Sequence, residues 1–204
     1  PVTATEQFFP EAVPEFGDFN QETIFNEDGS SQVKVTAPDG RTFTMAPSVM
    51  AHPEAAAQHV QGRYKSQLLN DWKAKVEAGE DLSKYAPAPE GLLTGRLKSE
   101  YQKSLLGQDS FTPDSIPVYR NENGMQAQLP GGLEISLPAD LPPGVDAQQY
   151  AYDVAQSFRQ APTEPGQGSW HMEDYANNQN ALHEGRQQVP VSYTHLRAHE
   201  TTSH

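Results

Sequence analysis

The chain has 204 residues, with 27 Asp plus Glu against 14 Lys plus Arg, a formal net charge of −13, and no cysteine. That balance argues against a nucleic-acid footprint, which needs a basic face to neutralise phosphates, and against binding to an anionic membrane surface. The lack of cysteine removes disulfide and thiolate chemistry, and no apolar run approaches the roughly 18 residues of a membrane span.

Hydrophobic residues make up 35% of the chain, alongside 15 Gly and 17 Pro. Such a composition builds a core from part of the length and leaves arms and linkers. The start at Pro1 rather than Met leads to the expectation that an N-terminal piece is missing. Charge is uneven. Residues 1–62 carry only Lys34 and Arg41 as strong cations, whereas Arg63, Lys65, Lys73, Lys75, Lys84, Arg96, Lys98 and Lys103 cluster in 63–103. An acidic arm is thereby set to fold back on more basic helices or to meet a basic partner.

Residues 1–22 read as an extended arm. Phe8, Phe9, Val13, Phe16 and Phe19 fall among Pro10, Pro14 and Gly17 with neither helical nor strand period. Its aromatics either dock on the fold or capture a protein partner, with Phe8, Phe9, Phe16 and Phe19 as the candidate contacts. The first hairpin–helix unit covers 23–79. Thr23-Ile24-Phe25 is a short strand, 26–31 is a turn cluster, and 32–37 alternates. Ala37-Pro38-Asp39-Gly40-Arg41 then spells a type I turn with a glycine bulge, and Thr42–Ala46 returns. Pro53 and Glu54 suit a helix start, Val60, Tyr64, Leu68, Trp72 and Val76 form an i+4 stripe, and Gly79 ends it.

At about 1.5 Å per residue this helix is roughly 39 Å long, too long for one hairpin. A linker and second helix, 80–116, supply its partner. The helix is expected over 90–106, with Leu93, Leu97, Tyr101 and Leu105 facing the first helix as an antiparallel pair. The second unit covers 117–161, with strands near 118–120, 125–129 and 133–137. Its helix is capped by Asp146 and carries Ala147, Tyr150, Ala151, Val154, Ala155 and Phe158 inward. Residues 162–190 read as an irregular tail. The fold class is therefore α+β: two hairpin- or meander-plus-helix units joined by a helical pair, with extended arms.

The units echo each other. At an offset of 92, Pro38-Asp39-Gly40 lies on Pro130-Gly131-Gly132 and Phe43 on Ile135; at 94, Val60 lies on Val154 and Tyr64 on Phe158. The pattern repeats without sequence identity to match.

No catalytic or metal residue is assigned, and no cofactor. His171, Glu173, Asp174, His183 and Glu184 offer ligand atoms, but the zincin pattern needs a second His where Gln187 stands. His52 and His59 are two helical turns apart. Ser169 near His171 lacks a placed acid, and Pro130-Gly131-Gly132 lacks the lysine and helix start of a phosphate loop. His195 and His199 have zinc-site spacing. They fall, however, in 191–201, VSYTHLRAHET, which resembles residue for residue the conceptual translation of a transposase-type sequencing adapter. The resemblance implies that 191–204 are artefactual and that native coding sequence ends near Pro190.

The hairpin with its Pro-Asp-Gly turn running into a Pro-started helix resembles small modules in large virion or mobile-element proteins of tailed bacteriophages. That resemblance implies a non-catalytic structural or protein-binding module, partnered by another protein or by other domains of a larger chain. The alternative is part of an enzyme whose catalytic domain lies outside these residues.

Overall fold

The structure, a computed structural model, describes residues 6–163 and 171–188, with side chains to residue 184. The chain divides into two compact units, one ending at Ser104 and the next beginning at Leu105. Each holds a three-stranded antiparallel sheet with its strands in sequence order, followed by a helix, so the α+β expectation of two such units holds.

In the first unit β1 (Asn20–Phe25), β2 (Ser31–Thr36) and β3 (Thr42–Met45) form the sheet. Both connections use one device. Gly40 N–H donates to Ala37 O at 2.9 Å and Ala37 N–H to Arg41 O at 2.8 Å; Gly29 N–H donates to Asn26 O at 3.1 Å and Asn26 N–H to Ser30 O at 2.8 Å. Gly29 and Gly40 take φ of 81° and 88°, which only glycine adopts cheaply. The aspartate before each glycine accepts from the backbone two residues on, Arg41 N–H to Asp39 at 3.1 Å and Ser30 N–H to Asp28 at 2.9 Å.

A short helix, α1 (Pro47–Met50), leads into α2 (Pro53–Glu77). The stripe Ala56, Val60, Tyr64, Leu68 and Trp72 is buried, as are Val35, Phe43 and Met45 of the sheet. Phe19 joins the two layers, with its ring 6.5 Å from Phe43 and 5.8 Å from Tyr64. Gly79, φ 70°, closes α2 with both bonds of a Schellman motif: Gly79 N–H to Val76 O at 3.0 Å and Glu80 N–H to Lys75 O at 3.1 Å. Next comes α3 (Gly95–Leu106). It starts five residues later than the expected 90–106, because Gly91 at φ 79° turns the chain first. Leu93 therefore precedes the helix; it is buried, as are Tyr101 and Leu105, while Leu97 is half-buried.

The second unit repeats the meander with β4 (Val118–Asn121), β5 (Gly124–Leu129) and β6 (Leu133–Ser136), then α4 (Ala147–Gln160). Asp146 caps α4 as expected, accepting from Gln148 N–H at 3.2 Å. The strand registers superpose on those of the first sheet. Val35 faces Gln21 and Phe43, and Ala127 faces Val118 and Ile135. The offset of 92 spans β2 and β3 together, while the first connection is five residues shorter in the second unit: Thr23 pairs Val33, whereas Arg120 pairs Met125.

Two boundaries need correction. The arm does not stay irregular to residue 22: Phe16–Asp18 is a 3₁₀ turn and β1 begins at Asn20. The tail expected over 162–190 contains α5 (Met172–Gln188). Met172 and Ala176 are buried in a core with Phe111, Ile116, Ala127, Leu129, Ile135, Leu137, Val154 and Phe158. Asn180 Nδ2 donates to Ser136 O at 2.7 Å, so α5 covers the free edge of β6.

Gly131 turns β5 into β6 at φ 82°, and a Cβ there would lie 2.5 Å from Leu105 Cδ1. Leu105 is itself buried, so it has little room to yield. Gly131→Ala is expected to cost about 1–3 kcal/mol from the left-handed backbone and the overlap together. Urea denaturation checks it; an unchanged midpoint would contradict the turn geometry.

Candidate functional site

Three places in the first unit, and a cavity in the second, bring residues together in ways the sequence invites one to test. The first is where the aromatic arm ends up. Phe9 is 2% exposed. Its ring lies 5.3 Å from Trp72, 5.3 Å from Tyr101 and 5.0 Å from Phe8, and Phe8 is 5.2 Å from Trp72 and 5.7 Å from Tyr85. Backbone bonds tie the arm to the linker: Glu6 N–H to Lys84 O at 3.1 Å and Ala86 N–H to Glu6 O at 2.8 Å. Phe19 is also buried, 5% exposed, and Phe16 is half-buried within the 3₁₀ turn. Of the four candidate partner contacts, Phe8 and Phe16 are half-buried, and Phe9 and Phe19 are docked on the fold. The Phe9 ring fills the gap between α2, the linker and α3, and the Phe19 ring the gap between the sheet and α2.

Glu80 steadies this cluster from the surface. It accepts from Lys84 at 2.7 Å, Tyr85 at 2.6 Å and Lys75 at 3.0 Å. Lys75 Nζ lies 5.8 Å from the Phe8 ring centroid and 5.5 Å from that of Tyr85. The hydrogen bonds from Lys84, Tyr85 and Lys75 hold the Glu80 carboxyl down at about 2. A carboxyl depressed in the folded state stabilises fully above its unfolded value, near 4.5, and loses that contribution as pH falls toward 2. Urea midpoints measured between pH 5 and about 2 should therefore fall less steeply for Glu80→Gln than for the parent; parallel profiles would contradict the pairing.

The second place is the turn of the first hairpin. Arg41 Nη1 donates to Asp39 at 2.8 Å and Nη2 to Asp71 at 2.6 Å, while Tyr64 Oη donates to Asp39 at 3.0 Å. Burial pushes the Asp39 carboxyl up. The Arg41 backbone N–H, the Tyr64 hydroxyl and the Arg41 charge outweigh that and hold it below its usual value. Burial, then the Asp39 bond, raise Tyr64 to about 12. A cavity of about 370 Å³ beside them is lined by Arg41, Thr42, Gln67, Asn70 and Asp71. Arg41 is already matched by two carboxylates, so the arrangement pins the turn to α2 and leaves no surplus positive charge for an anion.

In the second unit a cavity of about 270 Å³ gathers Tyr150, Asp153, Ser157, Gln179, Leu182 and His183. His183 Nε2 is 3.3 Å from Asp140 O, its ring packs edge-on to Tyr150, and Asp153 accepts from Gln149 at 2.8 Å. His171 Nδ1 is 3.9 Å from Asp174 Oδ2. Among the described residues no three His, Cys, Asp or Glu are placed to share a metal. Ser169, His195, His199 and the adapter-like stretch lie outside the described residues.

The third place is β1. All six of its residues are exposed. Phe25 is 78% exposed and Ile24 36%. The ladder bonds identify which backbone groups are open. The Asn26–Ser30 bond makes the pairs Ile24↔Gln32, Glu22↔Lys34 and Asn20↔Thr36 the hydrogen-bonded ones, and the Ala37–Arg41 bond gives the same phase for β2. Gln21, Thr23 and Phe25 therefore turn N–H and C=O outward. Among the described residues no strand pairs with them, whereas the edges of β3 and β6 meet helices: Thr42 O of β3 accepts from Gln67 at 3.1 Å and Ser136 O of β6 from Asn180. The sequence reading located Ile24-Phe25 on a strand but missed the edge, since Asn20–Glu22 carry no apolar alternation. The signal that could have found it is the pair of exposed hydrophobics next to an Asp-Gly turn.

Among the described residues no helix is long and apolar enough to cross a membrane. Comparison of the chain with protein-family models, with curated proteins and with solved structures gives no match in any of the three.

Proposed function

We propose that the chain is a non-catalytic structural or protein-binding module that works against a protein partner or a neighbouring domain of a larger protein, of the tailed-phage virion or mobile-element kind its hairpin–helix pattern resembles. The observation that carries the reading is β1, an open six-residue edge with a 78% exposed Phe25 at its end. Long uncovered edges invite pairing and are usually blunted, and extended-strand addition is a standard mode of protein recognition. The other polar clusters support a structural reading, since each joins one element to another.

The test is photo-crosslinking with p-benzoylphenylalanine at position 25, in the protein expressed within its complete reading frame. The expected result is a discrete adduct with one protein or one flanking domain, absent when the probe sits at exposed Asp109 instead. Equal, diffuse labelling from both positions would overturn the reading.

A further inference from the structure

We infer that the open edge of β1 accepts an extended basic segment of a partner protein as a fourth strand; the inference rests on the protein-binding reading above and specifies the partner's chemistry. The backbone carries the geometry. Gln21, Thr23 and Phe25 offer three outward N–H and C=O pairs at alternate positions, the spacing an added antiparallel or parallel strand uses. Their side chains share one face with Val33, Val35, Phe43 and Met45, the core side of the sheet, since Thr23 lies directly opposite Val33 and Val33 opposite Met45. Phe25 extends that face beyond its cover. Glu22 and Ile24 point to the other face.

Charge decides the occupant. Residues 1–33 hold Glu6, Glu11, Glu15, Asp18, Glu22, Glu27 and Asp28 and no Lys or Arg. On the hairpin itself Glu22, Glu27 and Asp28 stand against Lys34 alone, and all three carboxylates are exposed. Asp28 is held ionised by hydrogen bonds from the Ser30 hydroxyl and N–H. A second copy adding edge to edge would set one acidic hairpin against another, the arrangement charged edges prevent. An added strand meets Phe25 with the residues on its inner face and Glu22 with those on its outer face. The matching segment alternates apolar side chains with Lys or Arg, and ends in cations beside Glu27 and Asp28.

The test uses the full chain and a hexapeptide alternating Lys and Val, followed by heteronuclear NMR titration and amide exchange. Binding is expected to slow exchange at Gln21, Thr23 and Phe25 while leaving Glu22 and Ile24, already in the ladder, unchanged. A Glu–Val peptide of the same length should bind at least about tenfold more weakly, and the triple variant Glu22→Lys, Glu27→Lys, Asp28→Lys should invert that preference. Because these side chains are exposed, the variant's melting curve verifies that it folds. Equal binding of the two peptides, protection elsewhere on the chain, or concentration-dependent self-pairing through β1 in place of peptide binding would overturn the proposal. A crosslink from position 25 to a partner, with no peptide preference, would sink the basic-strand assignment and leave the protein-binding reading standing.

Discussion

Trp72→Ala is expected to destabilise the first unit by about 3–5 kcal/mol, the range for a truncated buried aromatic. Trp72 is 1% exposed. It touches three elements at once. Its ring is 5.5 Å from Tyr101 of α3, 5.9 Å from Tyr85 of the linker, and just over 5 Å from both arm phenylalanines. Its Nε1–H donates to Ser104 Oγ at 2.9 Å, and Ser104 in turn donates to Tyr101 O at 2.6 Å. Removing the indole empties a volume that none of these can fill without leaving the others, so collapse of the cavity is limited. Equilibrium urea unfolding reads the effect. A loss under about 1 kcal/mol would mean that α2 and α3 do not pack as described. Phe8→Ala, at the half-buried outer edge of the same cluster, should cost clearly less, and comparison of the two separates burial from aromatic contact.

Phe158→Ala carries a similar expected loss in the second unit, about 3–5 kcal/mol, with a second consequence. Phe158 is fully buried and its ring is 5.6 Å from Tyr175 of α5. The middle of α5 reads Ala176-Asn177-Asn178-Gln179-Asn180, and its three asparagines compete with the helix for backbone hydrogen bonds. Packing against α4 and β6 therefore carries much of this helix's stability. The variant should lose amide protection across α5 at denaturant concentrations where β4 and β5 keep theirs. Loss of protection in all of them together would show α5 to be as integral to the unit as the sheet.

How much of this was legible follows from where the determinants lie. The Ala37–Arg41 turn, the Gly79 stop and the Asp146 cap are local: each depends on residues within five positions, so the sequence states them outright. The stripe of α2 is periodic and needs no tertiary information. α5 was not legible, since its helicity comes from Met172 and Ala176 meeting strands some forty residues earlier. The start of α3 is hidden because the leucine period runs back to Leu93, close to a glycine, Gly91, whose backbone turns the chain before the helix begins. The arm shows the same limit. Its phenylalanines announce that they will be buried, and nothing local says against what. The β1 edge was invisible for a different reason: an open edge is defined by the strand that is missing beside it.

The docking of Phe9 has a consequence for how the first unit comes together. Its contacts with Trp72 and Tyr101 span most of that unit's sequence, so closing them carries the largest loop entropy in the unit. During synthesis the arm emerges first, yet its receptor exists only after α3 has been made. Two aromatic rings at the start of the unit must wait, exposed, while the sheet and α2 assemble from nearer neighbours. Within this unit the arm is made before its receptor and docks after it, and its arrival marks completion of the unit.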